Sequence, residues 1–306
     1  MKILVMGANG FIGSELIRGL GQYYTNVIGV QREGIQSSEK ISNSSIKFLD
    51  INLQPLSLYF KDQQPEVVIH CIGSPTVSWA QENPHQDMQN TVSSVSTVLE
   101  AIRISSPKTL FILISSAAVY GNQNASKLSE ELKPNPCSVY GFNKYIAEVL
   151  VDEYTKNYGI QSSIVRPFSV YGPTLKKQVI FDLFSKFSRT QGSIVELEGT
   201  GLEARDFIHI NDVVEGIKII IQNKFTGIIN LGTGKCTDLS TLTLMIQELL
   251  TKNMKFSFSG KENLINPKSL IADTTKLATL GIRSSIDISS GLRETLLHLR
   301  SIKLSL

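Results

Sequence analysis

The chain has 306 residues, 42% of them hydrophobic, enough to bury a sizeable core in one large or two modest domains. Thirty basic against 27 acidic residues leave a formal charge of +3, and no dense Lys/Arg block tracks a nucleic-acid backbone, so nucleic acid is not an expected partner. Cys71, Cys137 and Cys236 are odd in number, far apart and without metal-ligand spacing, which speaks against a disulfide framework or a zinc site and suits a reducing cytoplasm.

The apolar start at Ile3 to Met6 reads as a strand, not a secretion signal, because glycines at 7, 10 and 13 break the run and no small-residue cleavage site follows. No stretch reaches the roughly 20 apolar residues of a membrane span. The turn Gly7-Ala8-Asn9-Gly10-Phe11-Ile12-Gly13 leads into a predicted helix over 13–20. Glycines there permit a tight turn, close approach of a pyrophosphate, and close helix-to-strand packing, while the helix N-terminus offers free N–H groups. A second strand over 27–30 ends in Gln31-Arg32-Glu33. An acid after this strand would take the ribose hydroxyls of NAD, whereas an arginine accommodates the extra phosphate of NADP. Gln31 with Arg32 favours NADP; Glu33 on the ribose, with Arg32 a solvated loop residue, is the NAD alternative. A third strand over 46–49 brings Asp50 and Ile51 toward the adenine, although Asp50 also suits a turn.

Further apolar runs at 67–71, 110–115 and 163–166 alternate with helical spacing at 84–104 and 137–158. This rhythm predicts βαβ units, hence an α/β, Rossmann-type doubly wound parallel sheet with ligands at the carboxyl ends of its strands. Ser115-Ser116 stands at such an end, where a hydroxyl can bond a reacting carbonyl oxygen. Tyr140 and Lys144 are four residues apart on one face of a predicted helix. A fixed ammonium and an oxidised nicotinamide both favour the phenolate, so Tyr140 could exchange a hydroxyl proton while hydride moves to or from the ring, and Lys144 could hold the nicotinamide ribose. Beyond Tyr171-Gly172-Pro173 the pattern loosens, with helices expected over 179–190, 211–222 (capped by Asn211 or Asp212) and 239–250, and a strand over 227–231. The expected division is a dinucleotide-binding domain of residues 1–168 and 211–232, and a smaller C-terminal substrate-binding domain of 169–210 and 233–306.

These stretches together resemble the extended short-chain dehydrogenase/reductase family, the NAD-dependent epimerase/dehydratase group that modifies nucleotide sugars. The glycine turn, Val68-Ile69-His70-Cys71, Asn90, Ser115 to Gly121, Tyr140 to Lys144, Arg166 to Pro173 and Arg205-Asp206-Phe207-Ile208-His209 carry the resemblance over nearly the whole length. It implies that Ser116, ahead of Ser115, is the catalytic hydroxyl beside Tyr140 and Lys144. It also implies that Phe11, Ile12, Cys71, Ile72, Gly73, Asn90 and Pro167 line the cofactor, and that Ser74, Ser116, Ser169 and Arg205 meet the nucleotide sugar. A guanidinium fork suits a diphosphate, so Arg205 fits that role physically; a structural ion pair with a loop carboxylate is the alternative. Lys176 and Lys177 are weaker phosphate candidates that read equally as a solvated pair. Ile72-Gly73 and Ser169 depart from many relatives, so the sugar is not transferable.

Three reactions share the scaffold: 4-epimerisation, 4,6-dehydration and reduction of a 4-keto sugar. Relatives that dehydrate add an Asp-Glu pair after the catalytic hydroxyl, and here Ala117 and Ala118 cannot titrate. The Gln31-Arg32 pair favours an NADPH-dependent reductase of a nucleotide-linked 4-keto-6-deoxy sugar, with an NAD-dependent 4-epimerase as the alternative. A non-catalytic dinucleotide-sensing scaffold would have no chemical reason to keep Ser116, Tyr140 and Lys144 together. By analogy with the family, a homodimer through helices 84–104 and 137–158 is expected.

Overall fold

The structure, a computed structural model, describes residues 1–32, 45–49, 51–190, 194–251, 254–262 and 265–303; for residues 32, 45, 46, 48, 49, 53, 302 and 303 it describes the backbone alone. Seven strands form one parallel sheet: β1 (Lys2–Met6), β2 (Asn26–Arg32), β3 (Ser45–Leu49), β4 (Val67–His70), β5 (Leu110–Ile114), β6 (Ser162–Pro167) and β7 (Gly227–Leu231). Their spatial order is β7-β6-β5-β4-β1-β2-β3, so the order reverses at the boundary between β1 and β4. That boundary is where a doubly wound sheet opens a crevice for a ligand.

The strands are apolar on both faces because both are covered. On one face Ile3, Val5, Ile69, Ile112 and Val165 pack with α1 (Phe11–Leu20) and the Ile210–Gln222 helix. On the other, Leu4, Met6, Val68, Phe111 and Ile164 pack with α2 (Leu53–Gln63), α3 (Ser94–Ser105) and α4 (Val139–Tyr158). A separate apolar cluster, running from Tyr171 to Leu299, is built by α5 (Gln178–Arg189), strand Ile194–Leu197, and helices Leu239–Leu249 and Ile288–Lys303.

Several local expectations are corrected. The predicted helix over 84–104 is helix Pro84–Met88, a π-helical turn over Gln89–Ser93, and then α3. The helix expected from 137 begins at Val139, with Ser138 as cap. The helix over Ile210–Gln222 is capped by His209, whose side chain accepts from the Asn211 N–H, and not by Asn211 or Asp212, because helical backbone already starts at Ile210, one residue before the expected segment. Asp212 instead accepts from Ser284, Ser285 and the Ile286 N–H, which ties the helix to the C-terminal segment.

Candidate active site

The glycine turn sits at the crevice end of β1. Gly7 adopts φ +84°, a conformation that favours glycine, and its N–H donates to the Val30 carbonyl at 3.0 Å. A Cβ at Gly13 would overlap the Gly7 carbonyl oxygen, and one at Gly7 would lie 3.1 Å from the Cys71 backbone. The turn and the start of α1 therefore approach as closely as chain without side chains allows. Gly10 occupies the N-cap of α1 with no side chain capping it, so the first-turn N–H groups of Phe11, Ile12 and their neighbours face the crevice. Glycine cradle, open helix end and Gly73 across the crevice fit a dinucleotide pyrophosphate. The Arg32 side chain, Glu33 and Asp50 lie outside what is described; Ile51 is half-buried against the α2 side of the sheet. Cys71 and Ile72 leave β4 packed against opposite faces of the sheet, and burial pushes the Cys71 thiol up to about 12.

Ser138 accepts from the Gly141 N–H at 3.2 Å and starts α4, which places Tyr140 in the first turn and Lys144 one turn on. The Tyr140 hydroxyl shares a hydrogen bond with Ser116. Ser116 caps the short helical turn Ala117–Tyr120, accepting from the Ala118 N–H at 3.1 Å. Lys144 is buried, and its Nζ donates to the carbonyl of Ile114, the last residue of β5, at 3.0 Å. A Cβ at Gly73 would meet that Nζ at 3.1 Å, so Lys144 reaches across to the loop after β4. Burial pushes the Tyr140 phenol up, against the pull of the Ser116 hydrogen bond and with the Asp87 charge adding to the rise. Burial likewise lowers Lys144, opposed by Cys71, Asp87 and Glu148.

Ser115 faces elsewhere: its hydroxyl donates to Glu148 Oε1 at 2.5 Å. Glu148 also takes two bonds from Arg166, at 3.0 and 2.6 Å, and Arg166 Nη1 reaches the Tyr120 hydroxyl at 3.0 Å. This buried network braces the floor under the Ser116 turn. Glu148 lies four residues past Lys144, so it continues the face that starts at Tyr140; that spacing was the available signal for it.

A cavity of about 530 Å³ joins the two halves of the site. Phe11, Ile12, Ser116, Tyr140, Pro167, Ser169 and Arg205 all line it. Arg205 donates to the carbonyls of Ala204 (2.8 Å) and Lys268 (3.3 Å), and among the described residues it has no carboxylate in an ion pair. Asn90 lies in the π-helical turn, where its side chain accepts from Gln86 at 3.4 Å, and Ser74 donates to Asp87. Neither of them, nor Lys176 or Lys177, lines the cavity. Residues that sequence reasoning missed are Asp87, Asn143, Gln178 and Asp182; the last two line the cavity from the first turns of α5. Among the described residues no group of three or more His, Cys, Asp or Glu could hold a metal, and no helix is long and apolar enough to cross a membrane.

Comparison with known proteins agrees with this geometry. The family described as "NAD dependent epimerase/dehydratase family" matches residues 3–232. A Bacillus subtilis protein named uncharacterized UDP-glucose epimerase YtcB is 29% identical over 99% of both chains. The UDP-glucuronic acid 4-epimerase of Bacillus cereus, solved with UDP-glucuronic acid and NAD, is 29% identical with a TM-score of 0.88, covering 99% of this chain and 100% of that one. The Thermotoga maritima UDP-glucose 4-epimerase, solved with UDP-glucose, is 25% identical with a TM-score of 0.87 over the same shares.

Proposed function

We propose that this chain, which belongs to the NAD-dependent epimerase/dehydratase family and is an enzyme of the extended short-chain dehydrogenase/reductase type, interconverts the C4 epimers of a UDP-linked neutral hexose. The observation that carries this reading is the Ser116–Tyr140 hydrogen bond at one wall of a cavity whose other wall presents Arg205. In this reading the turn Gly7 to Gly13, with Phe11, Ile12, Cys71, Ile72, Gly73, Asn90 and Pro167, holds NAD. When bound, NAD supplies a reversible hydride acceptor beside the sugar C4. Tyr140 takes the proton of the 4-hydroxyl and later returns it, Ser116 holds the same oxygen against the phenol, and Lys144 keeps its charge next to the nicotinamide ribose. Arg205 retains the diphosphate while the 4-keto sugar turns over to present its other face, with Ser169 on the sugar side; Ser74, expected there too, is turned to Asp87 and lies outside the cavity.

The reductase reading rests on Arg32 and NADP; the relatives named above carry epimerase names, two of them 4-epimerase, and the B. cereus enzyme was solved with NAD. Epimerisation with NAD is the reading those likenesses support. The preference for a neutral hexose follows from charge. Asp182 and Arg205 are the charged side chains among the described residues lining the cavity. With Arg205 engaged on the diphosphate, no lining cation is left to neutralise a uronate carboxylate, which Asp182 would repel.

Purified protein with NAD and UDP-glucose is expected to form UDP-galactose, followed by chromatography of the nucleotide sugars, with UDP-glucuronate turned over at least tenfold more slowly in kcat/KM, a difference of about 1.4 kcal/mol. Tyr140→Phe should lose on the order of a hundredfold or more in kcat. NADPH oxidation with a UDP-4-keto-6-deoxyhexose, and no epimerisation of any UDP-hexose, would return the reading to a reductase. We also propose the division into residues 1–168 with 211–232 and 169–210 with 233–306, supported by the separate apolar cluster from Tyr171 to Leu299. Exposed Met88, Ile104, Phe142, Val149 and Tyr158 on the helices between 84 and 158 support a homodimer through that face, which light scattering would test.

A further inference from the structure

Asp87 is fully buried, yet among the described residues it pairs with no lysine or arginine. An ionised carboxylate so placed is costly unless hydrogen bonds offset the loss of water. Its two oxygens take three donors from three segments. Ser74, just after β4, and Thr91, in the π-helical turn at 3.3 Å, donate to Oδ1; Asn143, on α4 between Tyr140 and Lys144, donates to Oδ2 at 2.7 Å. Those segments are the loop after β4, the turn that leads into α3, and α4, which carries Tyr140 and Lys144. The Asp87 charge is felt at both functional side chains, disfavouring the Tyr140 phenolate and favouring the Lys144 ammonium. The other groups facing Lys144 are His70 and Cys71 from β4 and the loop after it, and Glu148 from its own helix; Ser116 faces Tyr140.

We propose that Asp87 is a positioning residue: through Ser74, Thr91 and Asn143 it locks together the segments around Tyr140 and Lys144, and its carboxylate supplies a buried negative charge beside both side chains. The assignment rests on the epimerase reading only for its kinetic arm, and it uses no group outside this chain.

Asp87→Asn separates charge from scaffold, because Asn143 can turn its amide to present oxygen to the new NH2 and keep the bond. Ionisation of Tyr140 is read by ultraviolet difference titration of the protein against its Tyr140→Phe counterpart, with and without NAD. In D87N the phenolate should form at a pH lower by on the order of one unit in both states. The acid limb of kcat should move down with it, while KM for the UDP-sugar stays within about twofold. Asp87→Ser is a second charge-free variant for the same titration. An unmoved phenolate titration in either folded variant, with kcat reduced equally at every pH, overturns the charge role. Failure of both variants to fold overturns it too, since the carboxylate would then be a requirement of the fold. Absence of turnover by the unmodified enzyme counts against the epimerase reading alone, because the titration needs no substrate.

Discussion

A single methyl group tests the dinucleotide cradle. Gly13→Ala would drive a Cβ into the Gly7 carbonyl, which also accepts the Gly10 N–H at 3.0 Å, so relief of the overlap must displace the turn that faces the pyrophosphate. NAD affinity measured by calorimetry should fall at least about tenfold, or 1.4 kcal/mol, while Tyr140 and Lys144 stay in place. Unchanged affinity would mean that the cofactor is held elsewhere. At this scale the sequence was readable where chemistry imposes short spacing: three glycines around one turn, and a phenol and ammonium on one helical face. Asp87 and Asn143 were not readable, because they meet across 56 residues and neither has a local pattern that marks it. Asp182 carries no mark either, since a carboxylate in the first turns of an amphipathic helix usually points to water.

At the scale of elements, the presentation of Tyr140 depends on one cap. Ser138 accepts from the Gly141 N–H, and the tyrosine sits inside the turn that this bond secures. Ser138→Ala should cost about 1 kcal/mol of stability in urea denaturation. It should also lower kcat more than it raises KM, because fraying of that turn loosens the Tyr140 phenol from Ser116. A stability loss with unaltered kcat would show that packing alone fixes the first turn. The long parallel strands and α4 were legible because each carries a continuous apolar run or face. The π-helical turn was not, since one extra residue per turn shifts the apolar spacing too little to notice, and helix α2 was missed with Pro55 near its start and weak amphipathicity. Two-residue strands such as Ala204–Arg205 exist only through pairing, here with Thr237–Asp238 on one side and Ser269–Leu270 on the other, and no local signal announces them.

Across the whole molecule, the deep burial that builds the two-sided sheet also sets the pH range in which the enzyme stays folded. His70, the last residue of β4, is fully buried against Ser94, and burial together with the Lys144 charge lowers its pKa to about 3. His209 is lowered as well, chiefly by burial, against the opposing pull of Glu294 and Asp212. The unfolded chain takes up these protons near pH 6.5, whereas both native imidazoles take them up only at lower pH, His70 near 3. Their contribution to stability is therefore whole above about pH 6.5 and is lost as pH falls below it, for His70 down to about 3. For His70 alone, the loss between pH 7.5 and pH 5 is about 2 kcal/mol, and His209 adds in the same direction. Urea midpoints across that range should decline steeply for the native chain, and His70→Gln should flatten the decline even though it lowers stability at every pH. A decline of equal slope in that variant would place the acid sensitivity at His209 or in the surface carboxylates, not at the crevice end of β4.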